Sequence, residues 1–357
     1  SSNPAAIVYP RLSVNNEVDT RFYVAAYCYS LYILDLLQAG VSTEQCSKTF
    51  WFDEGLQQSF DRKRISDILQ HFQFNKYFME VTEQKGREEN SLFDEKVLLD
   101  YKKAGVVLPQ MLCERIVQVC GPALKIVRGQ VDVITRNNNK WSCFSNSKLI
   151  NKSDCLVIAS GESINDLDVA FDFPVESIRG QAMVFNANAA SVAIKKTINA
   201  DVYFTLAIAG KHYLGATYSR SNKSADVDPE ENKSLLASLE KIHPGDFSLT
   251  DLKESWVGFR CMSKDRVPVV GALPDRKFFN EQYADIRHGK HNKHYPAARY
   301  QSGLYITAAH GSRGFTSSFL SAEIIAAEIA GEPSPVNKKT LDYLSPSRFI
   351  INKLKRA

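Results

Sequence analysis

The chain has 357 residues, of which 44% are hydrophobic and 24% are charged, and its formal net charge is +4. This length and composition predict a globular protein with room for two domains, and they exclude a disordered or low-complexity chain. The mild positive charge permits a nucleic-acid partner without requiring one.

Neither the cysteines nor the hydropathy pattern predicts a secreted or membrane protein. The seven cysteines are scattered, contain no CxxC pair and are odd in number, which favours reduced thiols in a cytoplasmic protein. We find no signal peptide and no apolar run long enough to span a bilayer, so we expect no membrane partner. The chain starts at Ser1 without an initiator Met, which suggests a cut inside a larger protein.

Helices and short strands are predicted along the whole chain. Apolar residues recur at helical spacing over residues 21–39, 61–72 and 229–242. Short apolar or β-branched runs bounded by turn residues predict strands over residues 50–52, 104–108, 126–134, 141–150, 155–161, 203–209, 212–217, 256–260 and 268–271. The runs 126–134 and 141–150 flank three asparagines and predict one hairpin. The run 155–161 ends in Gly161, and ligands of doubly wound sheets lie at the carboxyl ends of such strands.

The stretch from Gly303 to Gly331 combines three features of a ligand-binding turn. A buried strand is predicted over residues 304–309, followed by the turn His310-Gly311-Ser312-Arg313-Gly314 and by a helix that Gly331 ends. Thr316, Ser317 and Ser318 offer capping hydroxyls. Glycines let backbone N–H groups approach a ligand and the helix end carries partial positive charge, so the turn suits an anion or an electron-rich ring. An ordinary strand-to-helix turn is the alternative.

Two basic segments lie near the end of the chain. The loop 287–293 and the tail 353–356 are rich in lysine and arginine, and either could contact phosphate or simply be a solvated run of charge. His288, His291 and His294 have a regular spacing, but no cysteine or carboxylate cluster accompanies them, so we predict no metal site.

The order of these elements predicts a mixed α/β protein. Elements suited to a dinucleotide-binding fold lie at both ends of the chain and around residue 160, and β-rich elements lie between them. We therefore expect a discontinuous Rossmann-like cofactor domain with an inserted antiparallel β-sheet domain that binds substrate.

Several motifs point to a known family. They are Asn3-Pro4-Ala5, Tyr9-Pro10, Arg179-Gly180-Gln181, Gly215-Ala216-Thr217-Tyr218, Gly258-Phe259-Arg260, Asp265-Arg266-Val267-Pro268, Gly311-Ser312-Arg313-Gly314 and Pro346-Ser347-Arg348-Phe349. With them the chain resembles the D-amino-acid-oxidase-like flavoproteins, the superfamily of glycine and sarcosine oxidases. Within that superfamily it is most similar to the oxidase domain of bifunctional enzymes that modify tRNA.

The resemblance implies an FAD-dependent oxidoreductase acting on CH–NH bonds. It assigns residues 1–45, 104–170 and 300–345 to the FAD-binding domain, residues 46–103 and 171–299 to the substrate domain, and residues 346–357 to a basic tail. It also implies that the FAD-binding domain is N-terminally incomplete, because the family begins with a strand, a G-x-G-x-x-G turn and a helix that are absent here. His310 stands where the family has an aliphatic residue.

The implied substrate is tRNA whose wobble position carries 5-carboxymethylaminomethyl-(2-thio)uridine, and the parent protein is expected to carry a methyltransferase domain. The products would be 5-aminomethyl-(2-thio)uridine and glyoxylate. Two alternatives stay open: a small-molecule oxidase of glycine, sarcosine or D-amino acids, and a non-catalytic remnant or incomplete fragment.

The resemblance also implies roles for individual residues. FAD would contact Ser2, Asn3, Pro4, Val131, Ala159, Gly161, Gly311, Ser312, Arg313, Gly314 and Phe315. Arg260 would grip the substrate carboxylate, Arg313 would act beside the flavin, and Tyr218, Asp265 and Arg266 would line the substrate pocket. For the arginines and Asp265 the alternative is a structural ion pair, and for Tyr218 it is a place in the core.

Overall fold

The computed structural model describes residues 3–14, 17–40, 49–71, 76–82, 96–167, 173–243, 247–289 and 293–356. The chain forms two compact units, one of Ser1–Ala123 with Ile178–Phe259 and the other of Leu124–Ser177 with Arg260–Ala357. The predicted functional domains divide the chain differently, and their bounds stay a prediction.

The described ranges contain both helices and strands. The helices are α1 (Val18–Ala39), α2 (Arg62–His71), α3 (Pro109–Cys120), α4 (Pro229–Glu240), α5 (Arg276–Gln282), α6 (Gly314–Ala330), α7 (Lys338–Leu344) and α8 (Ser347–Arg356). The strands are β1 (Ala6–Val8), β2 (Trp51–Phe52), β3 (Leu56–Asp61), β4 (Met79–Thr82), β5 (Lys96–Tyr101), β6 (Gly105–Val107), β7 (Val133–Asn137), β8 (Lys140–Ser145), β9 (Lys148–Ser153), β10 (Leu156–Ile158), β11 (Val175–Asn186), β12 (Thr197–Asn199), β13 (Tyr203–Phe204), β14 (Lys211–Gly215), β15 (Leu252–Ser263), β16 (Val269–Pro274) and β17 (Tyr300–Ala308).

The first unit is built on a large sheet. Its strand order is β15-β11-β14-β13-β12-β3-β5-β4, and a smaller sheet has the order β1-β6-β2. The register pairs β11 with β14 and β3 with β5 antiparallel, whereas β12 and β3 run parallel. One face of the large sheet packs against α4 through Leu235 and Leu239, which join Phe185 and Phe204 in one apolar cluster.

The second unit contains two three-stranded sheets, β10-β17-β16 and β7-β8-β9. Its core is one apolar cluster that includes Trp141, Ile158, Leu304, Ile306 and Ile350. The strands β10 and β17 therefore contribute their side chains to the same core as α8.

The predicted hairpin over residues 126–150 is corrected by the structure. Residues 126–132 form no strand, and Ile126 and Val127 are more than half exposed. Asn138 and Asn139 have φ angles of 51° and 61°, and Asn146 and Ser147 have 47° and 62°. Positive φ at both central residues is typical of two-residue hairpin turns, so the run 141–150 is two strands joined by a second turn.

Helix α1 passes a test of length and composition that the search for a continuous apolar run did not apply. Within the described residues it is the one helix long and apolar enough to cross a bilayer by length and composition, and 39% of its most apolar window is buried. Polar residues interrupt its apolar ones, so counting continuous runs missed it. Phe22, Ala26, Leu31 and Leu34 are buried, which is also the pattern of a core helix.

The motif Arg179-Gly180-Gln181 supports the first unit from inside. Arg179 is fully buried, pairs with the carboxylate of Glu231, and donates to the carbonyls of Ser224 (2.8 Å) and Asp226 (2.6 Å). It also donates to Gln181 Oε1 (2.9 Å). A buried guanidinium is tolerated when its donors are satisfied in this way. The network therefore fixes the loop around residues 224–226 to β11.

We expect Arg179→Met to lower the free energy of unfolding by about 3–5 kcal/mol, because it leaves the Glu231 carboxylate and two carbonyls without their cation. Arg179→Met combined with Glu231→Gln should recover part of that loss. Urea unfolding followed by circular dichroism measures both. Lys233→Met, which removes only an exposed pair with Glu230, is the control and should show no measurable change. An Arg179→Met variant as stable as the parent would contradict a supporting role.

Candidate functional site

The candidate site begins at the carboxyl ends of two neighbouring parallel strands. Leu156, Val157 and Ile158 of β10 pair in register with Leu304, Tyr305 and Ile306 of β17. Ala159 and Gly161 follow the first strand, and the turn at Gly311 follows the second. Parallel strands end at the same edge of a sheet, so the structure brings these two predicted cofactor-binding segments together.

The backbone at the end of β17 is strained. Ala309 has a φ of 58° and is buried, and Gly311 has a φ of 59°. The left-handed conformation costs a non-glycine residue about 1–2 kcal/mol. A Cβ atom at Gly311 would lie 3.2 Å from Met262 Cγ, so the backbone and β15 are in close contact there. Strain of this kind concentrates at functional sites, where the surrounding structure enforces it.

Helix α6 starts without the predicted side-chain cap. Residues 311–313 form a 3-10 turn, Arg313 occupies the N-cap position, and no side chain caps the helix. Thr316 and Ser317 lie buried inside the first turn instead, and Ser317 donates back to the carbonyl of Arg313 (2.9 Å). The expectation that residues 316–318 cap the helix is therefore wrong. The first N–H groups of a helix have no partner within it, so here they can meet a ligand.

His310 connects β17 to α6 through both ring nitrogens. Its Nδ1 lies 2.8 Å from Ser317 Oγ, and its Nε2 lies 2.9 Å from Thr307 Oγ1. Because the Ser317 hydroxyl donates to Arg313, its oxygen is the acceptor toward His310. This assigns the hydrogen to Nδ1 and leaves Nε2 to accept from Thr307, which is the pattern of a neutral imidazole.

Enclosure of the imidazole lowers the pKa of His310 to about 4. The cause is desolvation, which disfavours the charged ring. The residue is therefore a neutral link that fixes the glycine turn between β17 and α6, and an aliphatic residue at this position could not make either hydrogen bond.

Arg260 lies on β15 close to the glycine turn. Met262 forms an antiparallel bridge with His310, and Arg260 is two residues earlier on the same strand, roughly 7 Å along it. Alternate residues of a strand share a face, so Arg260 and Met262 point to the same side. Arg260 is half-buried. Its predicted contact with a substrate carboxylate stays a prediction.

Asp265 has a partner that the sequence did not suggest. Its two carboxylate oxygens accept from Arg348 Nε (2.8 Å) and Nη2 (3.1 Å), and Ser263 Oγ donates to it as well (2.7 Å). Burial raises the pKa of this carboxyl, but the Arg348 guanidinium outweighs burial, and the pKa lies below its usual value. Asp265 thus has a structural role in joining the turn before β16 to α8, and its contact with substrate stays a prediction.

The other predicted site residues are distributed over both units. Val131 packs against the core of the second unit, just before β7, while Ser312 and Arg266 are exposed. Phe315 is half-buried in the first turn of α6. In the first unit, Tyr218 is 49% exposed, which corrects the alternative that it is a core residue.

The N-terminal segment has one feature of a ligand contact. Asn3 Oδ1 is buried and has no hydrogen-bond partner among the described residues. Pro4 is half-buried beside it, and Ser2 lies outside the described residues. Buried polar atoms are almost always hydrogen-bonded, so the Asn3 oxygen suits a donor of a bound molecule. Within the second unit, the strained turn and the uncapped helix offer backbone donors of the kind that bind the polar groups of a cofactor.

Metal ligands and disulfides are not found in the described ranges. No group of three or more His, Cys, Asp or Glu side chains there is placed to hold a metal ion. The six described cysteines are free, and Cys46 lies outside the described residues. Of the three histidines in the basic loop, His291 also lies outside them.

Sequence reasoning missed two contributors to the site. Ser317 was assigned to capping, although a serine on the inner side of an apolar helix signals a buried hydrogen bond. Arg348 was assigned to the basic tail, although its place in the motif Pro346-Ser347-Arg348-Phe349 marked it as more than a solvated charge.

His310 should make the protein sensitive to mild acid. The pKa of the folded state, about 4, lies below the unfolded value near 6.5, so the unfolded state binds more protons as the pH falls between them. The contribution of the neutral ring to the free energy of unfolding is fully present above pH 6.5. It falls as the pH is lowered toward 4, by at most about 3 kcal/mol.

His310→Asn keeps a neutral donor toward Ser317 and should flatten this part of the stability profile. Urea unfolding at a series of pH values between 4 and 7 measures the difference from the parent. His288→Asn, at an exposed position, should leave the profile unchanged. If the free energy of unfolding changed with pH in the same way in the parent and in His310→Asn, the prediction would be contradicted, because the ring would then bind no extra proton on unfolding.

Comparison with known proteins identifies the family. The model of the family DAO, described as FAD dependent oxidoreductase, matches residues 1–328. The tRNA 5-methylaminomethyl-2-thiouridine biosynthesis bifunctional protein MnmC of Pseudomonas paraeruginosa is 28% identical over 369 residues, and that of Shewanella baltica is 27% identical over 370. These alignments cover 100% and 99% of this chain and 54% of each relative, so the chain spans about half the length of the curated relatives it matches.

Solved structures agree with the fold. Iminodiacetate oxidase of a Chelativorans species matches with a TM-score of 0.73 and 18% identity, covering 96% of this chain and 88% of that one. Glycine oxidase of Geobacillus kaustophilus matches with a TM-score of 0.71 and 16% identity, covering 96% and 89%. The predicted mixed α/β fold and enzyme class are thus confirmed: the chain belongs to the DAO family of FAD-dependent oxidoreductases.

Proposed function

We propose that this chain is the oxidase part of a longer cytoplasmic protein that modifies tRNA. Its reaction removes the carboxymethyl group from 5-carboxymethylaminomethyl-(2-thio)uridine at the wobble position and yields 5-aminomethyl-(2-thio)uridine and glyoxylate. The main support is that similarity to MnmC extends over the whole chain at 28% identity, whereas the glycine oxidase is 16% identical. The relatives are named bifunctional, and we assign the second function of the parent protein to a methyltransferase domain.

The cofactor of the proposed reaction is FAD. The residues that would hold it are Ala159 and Gly161 after β10, the turn Gly311–Gly314 with Phe315, Val131, and the N-terminal Ser2, Asn3 and Pro4. We assign residues 1–45, 104–170 and 300–345 to this FAD-binding domain and residues 46–103 and 171–299 to the substrate domain. When bound, FAD supplies the two-electron oxidation of the amine C–N bond to an imine, and water then releases glyoxylate and the aminomethyl nucleoside.

The protein's own groups bind and orient the reactants. Arg260 grips the carboxylate of the substrate with two parallel hydrogen bonds. This fixes the position of the methylene carbon that is bonded to the carboxylate and the amine, which is the carbon to be oxidised. The uncapped N–H groups at the start of α6 offer donors where negative charge develops during oxidation. Neutral His310 keeps these donors in place without adding a charge of its own, and Tyr218 and Arg266 are candidates for the rest of the substrate pocket.

A product assay tests the proposed function. We expect the full-length protein, supplied with FAD and tRNA carrying the carboxymethylaminomethyl group, to release the aminomethyl nucleoside and glyoxylate, detected by mass spectrometry after digestion. tRNA without that group is the matched control. Oxidation of free glycine, sarcosine or a D-amino acid without tRNA turnover would support the small-molecule alternative, and failure to bind FAD would support the non-catalytic one.

Arg260→Gln should lower kcat/KM for the modified tRNA roughly 30-fold, because a charge-assisted hydrogen bond to a carboxylate contributes about 2 kcal/mol. Arg260→Lys should recover only part of the loss, since an ammonium group cannot form the paired hydrogen bonds. FAD affinity, measured by fluorescence quenching, should not change. Arg64→Gln makes the same substitution at an exposed position and should be silent. Equal activity of Arg260→Gln and the parent would remove Arg260 from the substrate site.

A further inference from the structure

The two basic segments near the end of the chain converge in the structure. Helix α8 packs against the 3-10 helix Ile286–His288 and against α5. Residues that are separate in sequence therefore share one surface of the second unit. We use the name α8 basic surface for the exposed Lys353, Lys355 and Arg356 of the last turn of α8 together with Arg287 and His288.

Helix α8 presents its charges outward because its apolar side is already occupied. Ile350 is buried, and Phe349, Ile351 and Leu354 pack against the core of the second unit. Within the described part of the chain, no carboxylate forms an ion pair with Lys353, Lys355 or Arg356. Three exposed cations thus stand in the last turn of a helix whose position is set by its opposite face.

The start of α8 is fixed by Arg348. Besides gripping Asp265, its guanidinium donates to the carbonyls of Val267 (2.9 Å) and Leu344 (2.8 Å). Its side chain is 10% exposed, so this is a largely desolvated anchor rather than a surface pair. The anchor holds the last turn of α8 in a constant place relative to β15 and β16.

The two acids Asp285 and Glu281 each lie beside a lysine outside α8. Asp285 is engaged by Lys293 (2.6 Å), and Glu281 lies 4.0 Å from Lys277. Among the described residues, therefore, neither of these two acids forms an ion pair with Lys353, Lys355 or Arg356. Clustered cations on one face are the electrostatic footprint of a polyanion site.

We propose that the α8 basic surface binds the phosphate backbone of the tRNA substrate. The inference rests on the proposed function and specifies the surface of the protein that binds the RNA. A membrane is the less suitable partner, because an interfacial helix needs a free apolar face and that of α8 is packed in the core. Phosphate contacts need only exposed cations on a rigid support, which α8 provides.

The test compares two triple variants of the full-length protein that lose the same charge. One is Lys353→Gln, Lys355→Gln and Arg356→Gln, and the control is Lys125→Gln, Lys148→Gln and Lys152→Gln, at exposed positions in other parts of the second unit. Binding of tRNA is measured from about 50 to 200 mM salt. The α8 variant should bind roughly tenfold more weakly or worse, and the slope of log K against log salt should fall by about 2.

Turnover separates binding from chemistry. The α8 variant should raise KM for the modified tRNA and keep kcat and FAD affinity, while the control should match the parent. Parent-like binding by the α8 variant, or an equal loss in both variants, would overturn the α8 basic surface while leaving the proposed function standing. A parent protein that binds no tRNA would instead contradict the proposed function itself, and binding of phosphatidylserine vesicles that the α8 variant loses, without loss of tRNA binding, would assign the surface to a membrane.

Discussion

The parallel pairing of β10 with β17 is the contact on which the candidate site depends. Parallel strands cannot be joined by a tight turn, so the chain must make a long excursion before β17 can lie beside β10. The excursion includes the strands β11 to β15 of the large sheet and then β16. When β17 returns, Ile306 pairs with Ile158, and the turns after both strands reach the same edge. One register thus aligns Gly161 with the turn at Gly311.

Polar groups inside the fold hold loops that apolar packing alone would leave undefined. Arg179 fixes the loop at residues 224–226, Arg348 fixes the turn at Asp265, and His310 fixes the turn before α6. Each arginine satisfies several acceptors, and His310 donates to Ser317 and accepts from Thr307, which offsets the cost of burying these groups. His310 is neutral, so it adds no charge of its own beside the backbone N–H groups at the start of α6. Those N–H groups supply the positive potential there.

Much of the fold could be predicted from local patterns. The apolar run before Gly311 and the glycine at 331 were enough to place β17 and α6, because both signals act within a few residues. Ile126 and Val127 misled the strand prediction, since exposed apolar residues carry the same local signal as buried ones. The partner of Asp265 lies 83 residues away, and no local pattern reports such a contact. The sequence was enough to predict that Arg260 lies on a strand. It did not predict that this strand contacts the turn at Gly311, which follows from the bridge between Met262 and His310 in the structure.

The Asp265–Arg348 pair connects the two ends of the proposed reaction. Arg260 and Asp265 lie close together in the chain, at the end of β15 and in the turn that follows it, and Arg348 starts α8. The bidentate pair of Asp265 with Arg348 therefore links α8, with the cations proposed to hold the RNA backbone, to the turn that follows the strand carrying Arg260. Such a pair resists both bending and sliding because its two hydrogen bonds are parallel. In the proposed reaction, an RNA held on α8 is connected through this ion pair to the strand whose Arg260 orients the group to be oxidised.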